Sequence, residues 1–303
     1  MTTFEPTPDP LNLFDRKAVR RHRDRAADTL EDHDFLFAEI ADRLTDRLLD
    51  VKRTFPLALD LGCHGGEVAQ TLGDRGGVET LLQCDLSPKM AKKAGGISFA
   101  ADEEFLPVKA ESLDLVLSNL SLHWVNDLPG AFVQIRQALK QDGFFLGAML
   151  GENTLHQLRE SLMVAETEIE GGLSPRVSPY ATVQDVGALL QRAGFTMPVI
   201  DVDTITVSYP NMFKLMADLR GMGEMNAVSQ RRKTFSRRDT FMRAAEHYVK
   251  TFVNEGDVGE DCIPATFDVI FITAWSPDPN QPKPAKPGSA TVSFADILSE
   301  PKE

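Results

Sequence analysis

The stretch Leu57-Ala-Leu-Asp-Leu-Gly-Cys-His-Gly-Gly-Glu-Val-Ala-Gln70 has the pattern of a buried strand, a tight turn and the start of a helix. Its apolar half follows Pro56, as in a central parallel strand that is buried on both faces. Gly62, Gly65 and Gly66 then allow the backbone to turn sharply and to pass close to a ligand. In an open α/β sheet, ligands bind at the carboxyl end of such a strand. We therefore expect the fold to be organised around this stretch.

The glycine spacing of the turn distinguishes between kinds of ligand. A dinucleotide fingerprint, G-x-G-x-x-G, that starts at Gly62 needs glycines where the chain has His64 and Glu67. The carboxylate of Asp60, just before the turn, would repel a pyrophosphate but can accept a hydrogen bond from an amine. An amine-bearing ligand such as S-adenosylmethionine therefore fits better than a dinucleotide. An ordinary strand-turn-helix corner of another α/β protein stays open as the alternative.

Composition limits the class of protein and of partner. With 303 residues, of which 42% are hydrophobic, the chain can bury a full core as one domain with insertions or as two domains. A net charge of -13 argues against a nucleic-acid partner, because phosphate contacts need clustered Lys and Arg. Only residues 16–25 are locally basic, and we interpret them as a solvated helix face.

Cysteine usage and the amino-terminal sequence bear on location. The three cysteines, Cys63, Cys84 and Cys262, are widely spaced, which indicates neither a disulfide framework nor a zinc motif. No run of about 18 apolar residues exists, and the sequence begins without a signal-peptide or Arg-rich transit pattern. We expect a soluble, cytoplasmic protein that stays in a reducing compartment.

Strands and helices alternate over residues 57–150. After the opening stretch, apolar runs at Val78–Cys84, Ile97–Ala100, Leu113–Ser118 and Gly143–Met149 are separated by helical segments. This alternation predicts βαβ units around a parallel sheet, and hence an α/β fold.

Acidic side chains follow two of these strands. Asp85 ends the second strand about 25 residues after Asp60, near the offset at which an acidic residue meets a ribose hydroxyl. Helix capping is its alternative role, since Ser87-Pro88 opens the next helix. Asp102 follows the third strand, where a carboxylate can accept from an exocyclic amine. We therefore assign it to adenine recognition.

The fourth strand ends in polar and aromatic residues. Asn119, His123 and Trp124 follow it in the run Asn119-Leu-Ser-Leu-His-Trp124, where the reacting group is expected. His123 and Asn119 are the candidate catalytic residues. A structural, hydrogen-bonded histidine is the alternative reading of His123.

Later segments predict a cap and a tail. A helix with Leu36, Phe37, Ile40, Leu44 and Leu48 on one side acts either as a lid or as packing on the sheet edge. Helices are predicted near 155–168, 182–193, 209–221 and 239–252, and strands near 199–207, 267–275 and 289–294.

The predicted domain organisation has three parts. Residues 1–50 form an amino-terminal arm and lid helices, and residues 51–276 form the main domain. Cap insertions lie within that domain at about 151–180 and 210–262. Residues 277–303 form a proline-rich linker and tail.

Four motifs in order resemble those of class I S-adenosylmethionine-dependent methyltransferases: 60–66, Asp85 with Ser87 and Met90, 101–107 and 113–118. Further segments are similar to the methyltransferase-fold family of respiratory complex I assembly factors, found in mitochondria and related bacteria: 121–129, 165–168, 170–172, 192–195, 221–224 and 288–294. The resemblance covers residues 14–294.

This resemblance implies a Rossmann-like, seven-stranded sheet and S-adenosylmethionine as cofactor. The residues that it and the motifs above assign to the cofactor are Asp60, Gly62, His64, Gly66, Asp85, Asp102, Glu103, Asn119 and Leu120. Most methyltransferases of this fold carry glycine where this chain has His64. Its side chain must therefore point away from the ligand or cover it.

The resemblance also implies an activity and a partner. The assembly-factor family hydroxylates an arginine on an iron-sulfur subunit of complex I, whereas similar proteins of the biotin pathway methylate malonyl-acyl carrier protein. A protein substrate, with at most peripheral contact with the inner membrane, follows from the first. Methyl transfer to the protein partner instead of hydroxylation, a carrier-protein or small-molecule O-methyltransferase and a non-catalytic chaperone stay open.

Two further patterns bear on the reaction. The six histidines show no two-histidine-one-carboxylate spacing, so we predict no metal site. The fourth strand is not followed by an Asn/Asp-Pro-Pro-Tyr motif, which argues against an amide or adenine N-methyltransferase. Glu166, Glu168 and Glu170 form an acidic cluster that either receives an arginine substrate or is a solvated helix face.

Overall fold

The computed structural model describes residues 12–253, 262–282 and 288–289. Its strands are β1 (Phe55–Leu61), β2 (Val78–Asp85), β3 (Ile97–Ala100), β4 (Leu113–Asn119), β5 (Leu139–Leu150), β6 (Thr196–Tyr209) and β7 (Ile263–Trp275). Its α-helices are α1 (Arg16–Ala26), α2 (Phe35–Leu49), α3 (Glu67–Leu72), α4 (Pro88–Ala94), α5 (Leu128–Ala138), α6 (His156–Glu170), α7 (Val183–Ala193), α8 (Met212–Met222) and α9 (Arg238–Phe252).

The described strands form one seven-stranded sheet in the order β3-β2-β1-β4-β5-β7-β6. β1 to β5 run parallel, and β7 runs antiparallel to β5 and β6. The sheet confirms the predicted α/β fold. The strand order reverses beside β1, so the carboxyl ends of β1, β2 and β4 meet at one edge of the sheet, where open α/β sheets bind ligands.

Helices cover both faces of the sheet. One apolar layer joins the sheet to α2, α3, α6, α8 and α9, and the other joins it to α5 and α7. Because both faces are covered, the central strands are mostly apolar; β4 and the second half of β5 are almost fully buried. This explains why these strands appear in the sequence as continuous apolar runs.

The predicted elements are present, with longer or shifted ends. β6 begins at Thr196 and β7 at Ile263, both earlier than predicted, because the two strands pair along nearly their whole length. α8 begins at Met212, after Asn211, whose side chain accepts from the Lys214 amide and caps the helix. α7 begins with a capping box, in which the side chains of Thr182 and Asp185 each accept from the other's backbone amide.

The amino-terminal helices pack on central strands of the sheet and on neighbouring helices. α2 packs against α3, β4 and β5, and α1 contacts α4 and α8. Within the described ranges, no helix is both long and apolar enough to cross a bilayer. The strand predicted near 289–294 lies outside the described residues, and the three-part domain division stays a prediction.

Candidate functional site

The loop after β1 has the backbone that the glycine pattern predicts. Gly62 has a φ of +76°, and a Cβ at this position would lie 2.0 Å from Ser121 Oγ. Gly66 has a φ of +89° and precedes α3, and a Cβ there would lie 3.0 Å from backbone atoms of Ala94. Both positions therefore need glycine, for conformation and for space. The loop forms a tight cradle at the carboxyl end of β1.

Asp60 lies in this cradle with both carboxylate oxygens unpaired. The residue is fully buried, and neither oxygen has a hydrogen-bond partner in the part of the chain that the structure describes. Burial, followed by the nearby charges of Glu67 and Asp85, raises the pKa of Asp60 well above its usual range. A buried carboxyl group without a partner is rare in folded proteins and calls for a functional explanation. A ligand with a cationic amine would satisfy it.

His64 covers the loop. The residue is fully buried at a φ of +47°, and its ring stacks on Phe37 with 4.2 Å between ring centroids. Nε2 lies 3.1 Å from the backbone carbonyls of Asn119 and Leu120, and because carbonyls only accept, Nε2 carries the proton. Burial, followed by Arg23, lowers the pKa of His64, which keeps the imidazole neutral. The ring thus bridges the ends of β1 and β4.

Arg23 of α1 occupies the acidic side of the site. Its Nη1 donates to Asp85 Oδ2 at 3.1 Å and to Glu103 Oε1 at 2.9 Å, and its Nη2 donates to Ser121 Oγ at 2.9 Å. Arg23 and both carboxylates are fully buried. The predicted ribose-binding carboxylate of Asp85 also accepts from the amides of Ser87 and His64. An arginine of the chain therefore holds the acids that the sequence assigned to the cofactor.

A second arginine of α1 extends this network. Arg16 Nη2 donates to Asp102 Oδ1 at 2.6 Å and also pairs with Glu103 Oε2, while its Nη1 donates to the Trp124 carbonyl at 3.1 Å. Burial alone would raise the pKa of Glu103, but Arg16 and Arg23 hold it below its usual range. Asp102, predicted to read adenine, is only partly buried and lies at the outer end of this network.

The interpretation of residues 16–25 as a solvated helix face is wrong for Arg23. α1 buries the stripe Ala18, Val19, His22, Arg23 and Ala26, which follows helical spacing. Arg23 belongs to this stripe because the acids at the ends of β2 and β3 supply buried partners for it. Arg20, three residues earlier, has a side chain that is 55% exposed and fits the original interpretation.

The two candidate catalytic residues point to different partners. Asn119 is buried and donates from Nδ2 to the Phe37 carbonyl at 2.8 Å, while its Oδ1 has no partner. His123 lies in a short 3₁₀ turn, Leu122–Trp124, and its Nε2 lies 3.0 Å from Glu224 Oε2. The long contact from the Leu150 amide to Nδ1, at 3.5 Å, places the His123 proton on Nε2. No contact joins the Asn119 and His123 side chains among those that the structure describes.

Glu224 is a site residue that the sequence reasoning missed. Its Oε2 accepts from His123 and, at 2.8 Å, from Trp124 Nε1, while its Oε1 has no partner. Glu224 lines a cavity of about 330 Å³ between α6, α8 and residues 175–180. A smaller void of about 10 Å³ shares Glu224 with this cavity and reaches Leu120 at the end of β4. Glu224 thus lies between the cavity and the loop that follows β4.

The predicted acidic cluster is neutralised within the chain. Glu166 Oε1 accepts from Arg176 Nη2 at 2.7 Å and from Ser174 Oγ at 2.6 Å. Glu168 pairs with Arg243, and Glu170 pairs with Arg232. The arginines of the chain therefore already hold the carboxylates proposed to receive a substrate arginine.

Among the residues that the structure describes, no group of three or more His, Cys, Asp or Glu side chains is arranged to hold a metal ion. Cys63 and Cys84 are buried and Cys262 is partly buried, all three as free thiols.

Known proteins are similar to this sequence over nearly its whole length. A methyltransferase-domain family matches residues 59–147. The zebrafish (Danio rerio) arginine-hydroxylase NDUFAF5, a mitochondrial protein, is 47% identical over 294 residues, which cover 95% of this chain and 90% of that protein. The chain belongs to the NDUFAF5 family.

A more distant relative is a methyltransferase, and a solved methyltransferase structure shares the fold. The malonyl-[acyl-carrier protein] O-methyltransferase of Methylovorus sp. is 32% identical over 88% of this chain and 90% of that protein. The structure of Haemonchus contortus phosphoethanolamine N-methyltransferase 2, in complex with S-adenosyl-L-methionine, aligns with a TM-score of 0.52 at 18% identity. It covers 86% of this chain and 60% of that one, and it shows that the fold is that of methyltransferases. The chain is an enzyme of this superfamily.

The remaining site residues that sequence reasoning missed are Arg16, Arg23, Phe37 and Ser121. The seven-residue spacing of Arg16 and Arg23 places both on one helix face and was a usable signal. Glu224 lies in a segment that carried the family resemblance, but nothing in the sequence indicated its partners.

Proposed function

We propose that the protein binds S-adenosylmethionine at the carboxyl ends of β1, β2 and β4. The observation that carries this proposal is the buried carboxyl group of Asp60, whose two oxygens lack partners beside the glycine cradle. Asp60 holds the ligand's amine, Asp85 the ribose, Asp102 and Glu103 the adenine end, and the backbone of Asn119 and Leu120 the methionine end; Gly62, His64 and Gly66 shape the loop. When bound, the ligand supplies an electrophilic methyl group.

In this proposal, Arg23 and His64 must each give up hydrogen bonds within the chain when the ligand binds. Arg23 now donates to Asp85 and Glu103, and His64 now donates to the carbonyls of Asn119 and Leu120. Both side chains donate hydrogen bonds to acceptors that we assign to the ligand, so they compete with the ligand for these acceptors. We infer that α1 and the His64 ring rearrange when the ligand enters.

We propose further that the substrate is an arginine side chain of a protein partner, an iron-sulfur subunit, during the assembly of respiratory complex I. Similarity to a protein named arginine-hydroxylase, at 47% identity over 95% of the chain, supports this substrate. The cavity of about 330 Å³ that Glu224 lines has room for a long side chain. Cytoplasmic location with peripheral contact at the inner membrane follows from such a partner.

Hydroxylation is the reaction that we propose for this arginine. It converts a C–H bond to C–OH, and with dioxygen as oxidant it takes two electrons and two protons from an external reductant and releases water. The residues of the chain bind the arginine side chain, exclude water from it and hold it in place. Asn119 Oδ1 is buried and unpaired at the end of β4, so we assign it a contact with the substrate or the ligand. His123 is assigned to the substrate end through its bond to Glu224.

Intact mass spectrometry of the partner subunit tests the proposed function. The subunit is purified from cells with and without this protein. One added oxygen is the expected result, and one added methylene would replace hydroxylation with methyl transfer. An unchanged mass would contradict an enzymatic role on this partner and would favour a non-catalytic chaperone.

A carrier-protein O-methyltransferase is the second candidate. The 32% identity to a malonyl-[acyl-carrier protein] O-methyltransferase favours it. Incubation of the protein with malonyl-acyl carrier protein and S-adenosylmethionine decides the matter. A methyl ester on the malonyl group would support this candidate over arginine modification.

We expect His64→Gly to retain or tighten S-adenosylmethionine binding, by up to about tenfold. The substitution removes a donor that competes for the carbonyls of Asn119 and Leu120, and one hydrogen bond contributes about 0.5–1.5 kcal/mol. Isothermal titration calorimetry of the variant beside the wild type measures the change. A large loss of affinity would show that the imidazole itself holds the ligand.

A further inference from the structure

The cavity between α6 and α8 is lined by buried polar atoms that can accept hydrogen bonds. Among the described residues that line it, three buried side-chain atoms lack a hydrogen-bond partner: Glu224 Oε1, Ser178 Oγ and His22 Nδ1. All three residues are more than nine-tenths buried. Each atom can accept a hydrogen bond, provided that His22 is neutral with its proton on Nε2.

The protonation states of His22 and Glu224 agree with a role as hydrogen-bond acceptors. Burial, followed by Arg25 and Arg21, lowers the pKa of His22 to about 4, so the ring is neutral at pH 7. Burial raises the pKa of Glu224, but the nearby His123 outweighs it and lowers that pKa, so the carboxylate is ionised. A buried, ionised carboxylate with a free oxygen is costly unless a cation pairs with it.

The arginines that line the cavity are already paired. Arg176 donates to Glu166 at 2.7 Å, Arg231 donates to Asp15 at 3.0 Å, and Arg232 pairs with Glu170. Their charges are therefore compensated by carboxylates of the chain. Among the described residues, the carboxylate in the wall that keeps one oxygen without a partner is that of Glu224, whose other oxygen accepts from His123 and Trp124.

The other wall of the cavity is aliphatic. It consists of side chains from α6, from α8 and from the residue before α6: Leu155, Leu158, Leu162, Met216 and Leu219. An aliphatic wall that leads to buried acceptors suits a side chain with an apolar stem and a polar, multi-donor head. An arginine has a stem of three methylene groups and a planar guanidinium with five N–H donors.

We propose that Glu224 is the residue that selects the substrate arginine, with its Oε1 accepting from the guanidinium while Ser178 and His22 accept from the remaining donors. This inference rests on the proposed function, because that function supplies the arginine. The hydrogen bonds from His123 and Trp124 to Oε2 fix the carboxylate and leave Oε1 free toward the cavity. His123 and Trp124 are therefore positioning residues for Glu224.

The proposal is tested by binding of a small probe to the full-length protein. The probe is N-acetyl-arginine methylamide, and its neutral, nearly isosteric counterpart is N-acetyl-citrulline methylamide. Saturation-transfer NMR titrations are expected to show binding of the arginine probe and binding at least about tenfold weaker for the citrulline probe, because charged hydrogen bonds are the stronger ones. Equal binding of both probes, or no binding of the arginine probe, would overturn the proposal.

Substitutions locate the effect at the carboxylate. Glu224→Gln is expected to weaken the arginine probe by about ten- to a hundredfold, the usual effect of losing a charged acceptor. Glu168→Gln makes the same change of charge on the exposed side of α6 and is expected to leave binding unchanged. Ser178→Ala is a milder second variant, expected to weaken binding a few-fold, should Glu224→Gln unfold the protein. Wild-type binding in both Glu224→Gln and Ser178→Ala would overturn the proposal.

The mass of the partner subunit separates this proposal from the proposed function. Probe binding that depends on Glu224, with an unmodified partner subunit, would support the arginine site and contradict the enzymatic role. A modified subunit with the same KM for wild type and Glu224→Gln would support the enzymatic role and contradict the assignment of Glu224.

Discussion

Arg23→Met lowers the free energy of unfolding by about 3–5 kcal/mol at pH 7, the usual loss when one partner of a buried ion pair is removed. Arg23 bridges Asp85 and Glu103, and all three side chains are fully buried. Methionine retains most of the apolar stem of arginine but leaves the two carboxylates with Arg16 as the other cation of the network. Urea denaturation followed by circular dichroism measures the difference.

Arg20→Met provides the matched control on the same helix. Arg20 is largely exposed and lies 3.8 Å from Asp24, so we expect its replacement to change stability by no more than about 0.5 kcal/mol. Equal, small effects of the two substitutions would contradict the buried network. A large effect confined to Arg23→Met would support it.

The same network gives stability a defined dependence on pH. Because Arg16 and Arg23 hold the pKa of Glu103 below its usual range, the folded state binds fewer protons there than the unfolded state. This contribution is complete above the ordinary pKa of about 4.3 and is lost as the pH falls below it. Glu67 acts in the opposite direction. Burial raises its pKa to about 7, so the folded state loses stability as the pH rises from about 4.3 to 7. We expect wild type to lose stability below about pH 4 more steeply than Arg23→Met; parallel slopes would argue against the pairing.

Asp85→Ala weakens S-adenosylmethionine binding by about 1–3 kcal/mol, roughly 5- to 150-fold, because a charge-assisted hydrogen bond to the ligand is lost. Asp85 lies at the carboxyl end of β2, beside the glycine cradle, and its Oδ2 contacts the His64 amide at 3.3 Å. Its present partner, Arg23, keeps Glu103 and Ser121, which limits the structural effect of the substitution. Titration calorimetry of both proteins gives the ratio of affinities.

Glu79→Ala is the control for Asp85→Ala. Glu79 lies near the other end of the same strand and is exposed, so its removal is expected to leave affinity unchanged. Unchanged affinity in Asp85→Ala as well would assign Asp85 to the structure of its loop and to Arg23 rather than to the ligand.

The fold was predictable because its signals are local. The glycine turn after β1, the apolar runs of β2 to β5 and the capping box of α7 each lie within a few residues. The predicted ends of strands were less accurate where a strand pairs with one that is distant in the sequence. β7 begins at Ile263 because β6 lies beside it, and no local pattern marks that boundary.

The candidate site was predictable where a motif carries it and not where distant residues meet. Asp60, Asp85 and Asn119 lie at the carboxyl ends of strands that share one edge of the sheet, which the alternation of elements implies. Arg23 is buried by acids 62 and 80 residues away. Glu224 meets Trp124 across 100 residues. Burial of a charged side chain depends on such partners, so the charge pattern of residues 16–25 alone indicated exposure.

Titration calorimetry of the folded wild-type protein with S-adenosylmethionine tests the central claim most directly. We expect saturable binding to a single site, weakened in Asp85→Ala and retained in Glu79→Ala. No binding of S-adenosylmethionine, by calorimetry and by equilibrium dialysis, to protein whose circular dichroism shows a native fold would contradict the claim.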